Sequence, residues 1–445
     1  MSEITIDLRL TFTIPEYNLT INSLIYGLKE SSSRIHGTIL TTVLKALEER
    51  LLETMISNNP GRYTRNGSQS RARTLKSSLG TVRYRFAQLI DTYGNQRQTI
   101  TPLIEFLSIP AYTCYLDEAA ESAIGLSIHV SYRRASSEVE RIQGVSMSHT
   151  TIHRRLQQLA TTHCPFGCRK DSAYRYLLVD GTKVKLQDPA GKNLGQTEMR
   201  WALASTGPHG RFEPVGFWIN TDWAQIRKDL NEHLDYAKLQ ILFSDGGPGI
   251  AENLLHEGMQ QQRCQWHGKR DFPYLLYADG IKKPAQQPFT DKLRSIPALH
   301  FTKTQLEALR PEDRPAVEGI ASKTTKGFQE LLDILDPATY PKARAYIQNL
   351  MHPVSTFLSR WLQQGEVIPL TTNAIESAFS QVCNRIKRVG RRWSELGLLN
   401  WLKITFYKIF KPDQWNLIWF DNKPLLPKIK LLDLQASYSW SSAIT

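Results

Sequence analysis

Three acidic residues stand where acids are costly unless something uses them. Asp180 ends the apolar run Tyr174 to Val179 (YRYLLV), and Asp245 follows Gln240 to Phe243 (QILF) and Ser244. An unpaired carboxylate at the end of a buried strand is unfavourable unless it is neutralised. Two carboxylates that face each other repel, which raises one proton affinity, unless a divalent cation sits between them. Magnesium suits such a place because it takes hard oxygen ligands and keeps its own waters. A third acid would complete a two-metal site, with ions about 3.5–4 Å apart clamping the attacking and leaving oxygens of a phosphodiester. Glu376, in TTNAIES at 371–377, is the candidate. Thr372 or Asn373 caps a helix running to about Arg388, so Glu376 falls in its first turn. An acid there is also favoured by the helix dipole, and Glu376 by itself needs no other explanation. Together with Asp180 and Asp245 it gains one.

The elements that must position these residues can be read from periodicity. Tyr174 to Leu186 reads as a strand, and Glu198 to Thr206 and Phe212 to Asn220 as two more, joined by a turn at Gly207-Pro208-His209-Gly210. Asp222 to Lys238 is an amphipathic helix. Gln240 to Phe243 is a short buried strand, then comes another helix, then Arg263 to His267 (RCQWH) as a last strand. Strand, strand, strand, helix, strand, helix, strand is the order of a ribonuclease H-like mixed sheet, an α/β fold. In that order the first and fourth strands are neighbours, so Asp180 and Asp245 would meet. Residues 270 to 365 read as a mostly helical insertion, with amphipathic stretches at Thr304–Leu309, Gly327–Leu335 and Pro341–Leu350. The alternative is that Asp245 and Glu376 lie in different domains and never meet.

Beyond Glu376 the chain is strongly basic: Arg385, Lys387, Arg388, Arg391 and Arg392 precede Trp393. Such a run is by default a solvated face. Its position after the third acid favours contact with a DNA backbone, with Trp393 as a stacking surface for a base. The helix Ala135–Gln143, a turn holding Gly144, and a second helix His149–Leu159 capped by Ser148 read as a helix-turn-helix. Its exposed first residues, Ser148, His149, Thr150, Thr151, His153 and Arg154, would face base edges. Ahead of it lie a strand at Met1–Leu10 and a helix at Ile21–Ser57, with Leu24, Leu28, Ile39, Val43, Leu47 and Leu51 on one side. A small β element follows at Leu75–Ile90, turning at Gly80 and dense in arginine (62, 65, 71, 73, 83 and 85).

The chain has 445 residues, and 55 Lys and Arg against 42 Asp and Glu leave it at +13, which favours a polyanionic partner. Hydrophobic residues at 41% and charged residues at 22% exclude disordered and collagen-like classes. Five scattered cysteines make no disulfide scaffold. Cys164 and Cys168, with His163, lack a second pair of zinc ligands nearby and read as linker. No secretory signal and no apolar run of the roughly 18 residues a membrane span needs is evident. Gly397–Phe410, the best candidate span, is broken by Lys403 and Lys408, and its Trp401, Ile404 and Phe406 read as core. A cytoplasmic, nucleoid-associated protein without membrane contact is expected.

These motifs resemble the DDE transposases of bacterial insertion sequences, most of all the Mutator-like group. The resemblance rests on DG at 180–181, SDGGPGI at 244–250, QRCQWH at 262–267 and TTNAIES at 371–377, and spans about 60 to 410. In that group a Cys-x-x-His pair follows the second Asp, and a helical insertion precedes the Glu; Cys264 and His267 occupy those places. The intervening Gln265-Trp266 and the extra glycine of SDGGPGI depart from the pattern without removing a ligand. The resemblance implies that Asp180, Asp245 and Glu376 hold two Mg²⁺ or Mn²⁺ ions, for hydrolysis at transposon ends and attack of the freed 3′-hydroxyl on target DNA. Cys264 and His267 would be auxiliary, and Trp266 would stack on a displaced base. Joining two DNA ends implies at least a dimer.

The domains expected are 1–110, a helical and Arg-rich β region; 111–168, the helix-turn-helix; 169–270 with 366–411, the catalytic domain; 271–365, the insertion; and 412–445, a tail. Competing readings are an inactive or domesticated copy that only binds DNA, and a stand-alone ribonuclease H-like nuclease or resolvase. The second seldom carries DNA-binding segments such as 60–160.

Overall fold

The computed structural model describes residue 6 and residues 20–93, 96–112, 114–163, 173–188, 190–389 and 392–419. The strand expected at Met1–Leu10, Cys164, Cys168 and Arg391 lie outside these residues, except for Ile6. The described residues fall into two compact units, one within Met1–Leu156 and Pro412–Thr445, the other within Gln157–Lys411.

In the first unit a long helix, α1 (Ile21–Asn58), is opened by a Thr20–Ser23 capping box and ends ahead of Pro60 and Gly61. Its buried stripe is Gly37, Leu44, Glu48 and Leu52, one position round from the face expected. Leu24 and Leu28 are exposed. The reason is what α1 packs on. The hairpin of β2 (Arg73–Ser77) and β3 (Gly80–Tyr84) lies against the later part of α1, where Leu44, Leu75, Val82, Tyr84, Phe86 and Leu103 form a core. Glu48 is buried there because its carboxylate accepts from Tyr84 Oη and the Ala87 amide, both at 2.8 Å. A second sheet, β1 (Tyr63–Ser68), β4 (Ala87–Tyr93) and β5 (Gln96–Ile100), was not foreseen. Arg62 is tied to Asp91 by two hydrogen bonds of 2.8 and 2.9 Å, whereas Arg65, Arg71, Arg83 and Arg85 are exposed.

Helices α2 (Pro102–Phe106) and α3 (Asp117–Ser127) lead to α4 (Tyr132–Gln143) and α5 (His149–Thr162). Gly144, at φ 68°, ends α4, and Ser148 Oγ accepts from the Thr151 amide at 3.2 Å to start α5.

The second unit is built on a five-stranded sheet: β6 (Tyr176–Gln187), β7 (Asn193–Ser205), β8 (Glu213–Ile219), β9 (Ile241–Ser244) and β10 (Gln260–Arg263), in spatial order β10-β9-β6-β7-β8. β6 to β8 run antiparallel; β9 and β10 add in parallel to β6. On one face α6 (Trp223–His233) and α7 (Ile250–Leu254) cover Leu177, Val179, Ala202, Ala204 and Leu242. On the other, Trp201 and Phe217 meet Phe379 and Phe406, carried by α14 (Asn373–Cys383) and α15 (Glu395–Phe410). Between them, α8 (Gln265–Ala278), α9 (Lys283–Arg294), α10 (Lys303–Ala308), α11 (Arg314–Ile334), α12 (Pro341–Met351) and α13 (Thr356–Gln364) form a helical block. Much of that block has its own core of Phe272, Leu276, Phe328, Leu331, Ile347 and neighbours. A last helix, α16 (Pro412–Trp419), belongs to the first unit, where Trp415 Nε1 donates to Glu121 at 2.9 Å. No helix among the described residues is long and apolar enough to cross a membrane.

Candidate active site

The backbone alone brings two of the acids level. β6 and β9 are parallel, with Leu178 opposite Phe243. Two residues further along each chain Asp180 comes level with Asp245, and the period of two puts both on the same face of the sheet. Asp180 is 8% exposed. Its Oδ1 accepts from the Gly181 amide at 2.7 Å, and Asp245 Oδ1 accepts from the Gly247 amide at 2.8 Å. Burial, and then the charge of Asp245, push the Asp180 carboxyl up to about 7. Glu376 adds to the push, while the Gly181 amide and His267 oppose it. Among the described residues, neither aspartate forms an ion pair with Lys or Arg.

Aromatic packing brings up the third acid. Trp201 is the cross-strand partner of Asp180, and its ring lies 4.4 Å from that of Phe379 on α14. Glu376 is one helical turn before Phe379, so seating Phe379 on Trp201 brings Glu376 near enough for its charge to act on Asp180. Thr372, at the N-cap position, does not cap a backbone amide with its side chain as expected; its hydroxyl donates to Glu376 Oε1 at 3.1 Å instead. His267 Nδ1 lies 4.0 Å from the same oxygen.

Cys264 and His267 sit at a junction rather than in a strand. β10 ends at Arg263, Cys264 is the N-cap of α8, and His267 is in its first turn. The Cys264 amide still reaches β9, donating to Ser244 O at 2.9 Å, and the Gln265 amide donates to Leu370 O at 3.1 Å. Burial raises the proton affinity of the Cys264 thiol, but His267 and Thr372 outweigh it and the net shift is downward. Burial disfavours the His267 imidazolium; Cys264 and the charge of Asp245 more than offset that, so its proton affinity is raised. Trp266 is 51% exposed, edge-on to His267 and beneath the Arg270 guanidinium at 4.7 Å.

Arg263 was missed as a site residue, although it stands within the QRCQWH motif. Its Nη2 donates to Asp245 O at 3.1 Å, and its guanidinium lies 5.0 Å over the Tyr346 ring. Gly246, at φ +86°, leaves room for it: a Cβ there would come within 2.0 Å of Arg263 Nε. Only a glycine adopts this backbone at little cost and also admits the guanidinium. A sequence clue existed, since an arginine closing a buried strand must find an acceptor.

The basic run after Glu376 divides. α14 stops at Cys383 and continues as a π-helical turn, Asn384–Val389, not as α-helix to Arg388. Arg385 is 4% exposed, with its guanidinium 4.6 Å over the Trp393 ring. Trp393 is itself buried, and its backbone accepts from Gln187 and donates to Lys185. The expectation that Trp393 stacks on a base, and that Arg385 meets a phosphate, is therefore corrected: the indole and the guanidinium are buried against each other inside the unit. Lys387 Nζ donates to Thr182 Oγ1 at 2.6 Å, two residues beyond Asp180. Arg388 and Arg392 are exposed.

In the other unit, Ser148, His149, Thr150 and Arg154 are exposed along the first part of α5, opposite the buried Ile152 and Leu156. His153 packs edge-on to Tyr132 at 5.2 Å, and burial lowers its proton affinity.

No protein-family model matches the chain, and no curated protein matches it. Among solved structures it is similar to the "Drosophila P element transposase strand transfer complex", at 13% identity and a TM-score of 0.36, over 68% of this chain and 94% of that one.

Proposed function

We propose that this chain is a DDE transposase that binds transposon ends and carries out metal-dependent cleavage and strand transfer on DNA. The observation that carries the reading is the approach of Asp180, Asp245 and Glu376 on one face of the sheet, with the Asp180 carboxyl pushed up to about 7 by burial first and then by the charges of Asp245 and Glu376. The strand order β10-β9-β6-β7-β8, with an acid on the central strand and another beside it, supports a ribonuclease H-like catalytic domain. The sequence motifs that resemble Mutator-like transposases fall at these positions.

The donor set fits hard divalent cations. Carboxylate oxygens from β6, the loop after β9 and the first turn of α14 repel one another without one, and Mg²⁺ or Mn²⁺ would be held by Asp180, Asp245 and Glu376. Such ions, when bound, supply electrostatic stabilisation of charge on the phosphate oxygens. The chain does the positioning. Arg263 and the Gly247 amide fix the Asp245 loop, Thr372 orients Glu376, and Phe379 on Trp201 sets the approach of α14. Lys387, Arg388 and Arg392 place positive charge along the chain after Glu376, where a DNA backbone would be met.

We read α4 and α5 as a helix-turn-helix, with Ser148, His149, Thr150, His153 and Arg154 toward base edges. Assembly into at least a dimer on DNA, and residence at the nucleoid, belong to this reading. It is tested by incubating the full chain with duplex DNA carrying the sequence that flanks its gene, with Mg²⁺, with Ca²⁺ and with EDTA. Nicking at a defined position in Mg²⁺, absent in EDTA and in Asp245→Ala, is expected. Specific binding without nicking under any metal would replace it with the DNA-binding derivative.

A further inference from the structure

Beside the three acids lies a second donor set of different chemistry. A sulfur of Cys264, a ring nitrogen of His267 and a carboxylate oxygen of Glu376 all lie within 4.8 Å of one another. Cys264 is a free, buried cysteine, 2% exposed, and His267 is 6% exposed. His267 Nδ1 is buried without a hydrogen-bond partner, and it points towards Glu376 Oε1 at 4.0 Å. A buried ring nitrogen left without a partner is costly, and a cation at this place would relieve it. The three donors are held by separate supports. Cys264 is anchored to β9 through its amide, His267 is in the first turn of α8, and Glu376 is in the first turn of α14.

We propose that Cys264, His267 and Glu376 form a site for a thiophilic divalent cation, Zn²⁺ by its chemistry, which competes with the acid triad for Glu376. Sulfur, imidazole nitrogen and one carboxylate oxygen with a fourth position open to water is a donor set that zinc takes and magnesium does not. Around a tetrahedral zinc ion such donors stand about 3.3–3.6 Å apart. The set must therefore contract by about 1 Å, which the Glu376 side chain, 42% exposed, can supply by rotating on its helix. Nucleophilic attack by Cys264 is a poorer use of the same atoms, because a thiol so buried cannot reach a polymer. Zinc bound here holds Glu376 away from Asp180 and Asp245. That consequence rests on the function proposed above; the binding itself rests only on the donor geometry.

Cobalt is the probe for binding. Titrating Co²⁺ into the full chain without DNA is expected to produce a thiolate-to-cobalt charge-transfer band at one equivalent, which one equivalent of Zn²⁺ removes and excess Mg²⁺ does not. The band is expected to vanish in Cys264→Ser and to persist in Asp180→Asn. Glu376→Gln, at a half-exposed position that folding tolerates, is expected to weaken zinc by about tenfold or more, at least what loss of an outer-shell partner costs. No band in the unmodified chain, or a band that survives Cys264→Ser through one of the other four cysteines, overturns the site. In a second arm, Mg²⁺-dependent nicking is followed while Zn²⁺ is added, and half-inhibition is expected at the concentration that half-displaces cobalt. Nicking unaffected by saturating zinc overturns the competition for Glu376. A chain that never nicks sinks the transposase reading, while the cobalt band still decides the site.

Discussion

Two buried acids meet the same strand, four residues apart, and are treated in opposite ways. At the start of β6 the hydroxyl of Tyr176 donates to Glu366 Oε1 at 2.7 Å. Glu366 is paired through its other oxygen with Arg360, whose side chain is 8% exposed and whose Nη2 also reaches Gln240 at 3.0 Å. Every charge there has its partner within the chain. At Asp180 burial is as deep, yet the nearest charge of note is another carboxylate. Removing one member of a buried pair leaves an uncompensated charge and is costly. The fold settles its electrostatics at Glu366, and leaves them open at Asp180, the site proposed to take a metal ion.

The comparison is broken most directly at the open end. Asp180→Asn or Asp245→Asn is expected to lower nicking by on the order of 10³-fold or more while leaving end binding intact. Loss of binding in both variants would show that the acids serve the fold. At the closed end, Glu366→Ala is expected to cost about 3–5 kcal/mol in urea unfolding, because Arg360 is left buried and alone. Glu366→Ala combined with Arg360→Leu should recover part of that loss.

The same asymmetry has a sign in pH. A carboxyl moved from an ordinary 3.8 to about 7 favours its neutral form in the folded state. Its stabilising effect is complete below about pH 4 and is lost as the pH rises through 7. Asp180→Asn should therefore stabilise the metal-free protein at pH 8 by about 2–4 kcal/mol, with little difference near pH 4. Added Mg²⁺ should stabilise the unmodified protein and leave the variant nearly unmoved. A variant no more stable than its parent at pH 8 would mean that the two aspartates do not strain each other.

Smaller effects sharpen the picture. Gly246→Ala places a Cβ on the Arg263 guanidinium at a positive φ, at a cost of about 1–3 kcal/mol in stability together with slower nicking. Arg388→Ala is expected to lower the salt slope of DNA binding by about 1, with its largest effect at low salt. An unchanged slope would return Arg388 to a solvated surface.

Much of the second unit was legible in the sequence because its signals are local. Apolar runs ending in DG and SDGG marked β6 and β9, and their order implied that they are neighbours. The amphipathic stretches of 270–365 gave a helical block, and Trp401, Ile404 and Phe406 fell in the core as expected. What failed was what depends on a partner. The face of α1 was read from its own periodicity, whereas the β2–β3 hairpin fixes which residues are covered. Arg385 and Trp393 look like a basic, stacking surface until packing buries them against each other.

The sequence by itself determined which residue types stand at strand ends and first turns, since period, caps and turns act over a few residues. Asp180, Asp245 and Glu376 became candidates in that way. Only the tertiary structure decided that Phe379 rests on Trp201, that Thr372 turns from capping to Glu376, and that Cys264 and His267 share Glu376's neighbourhood. The first and last of those contacts join residues a hundred or more positions apart, and side-chain packing, which has no local signature, selects among them; the second spans four residues, but whether Thr372 caps or turns to Glu376 is set by the same packing.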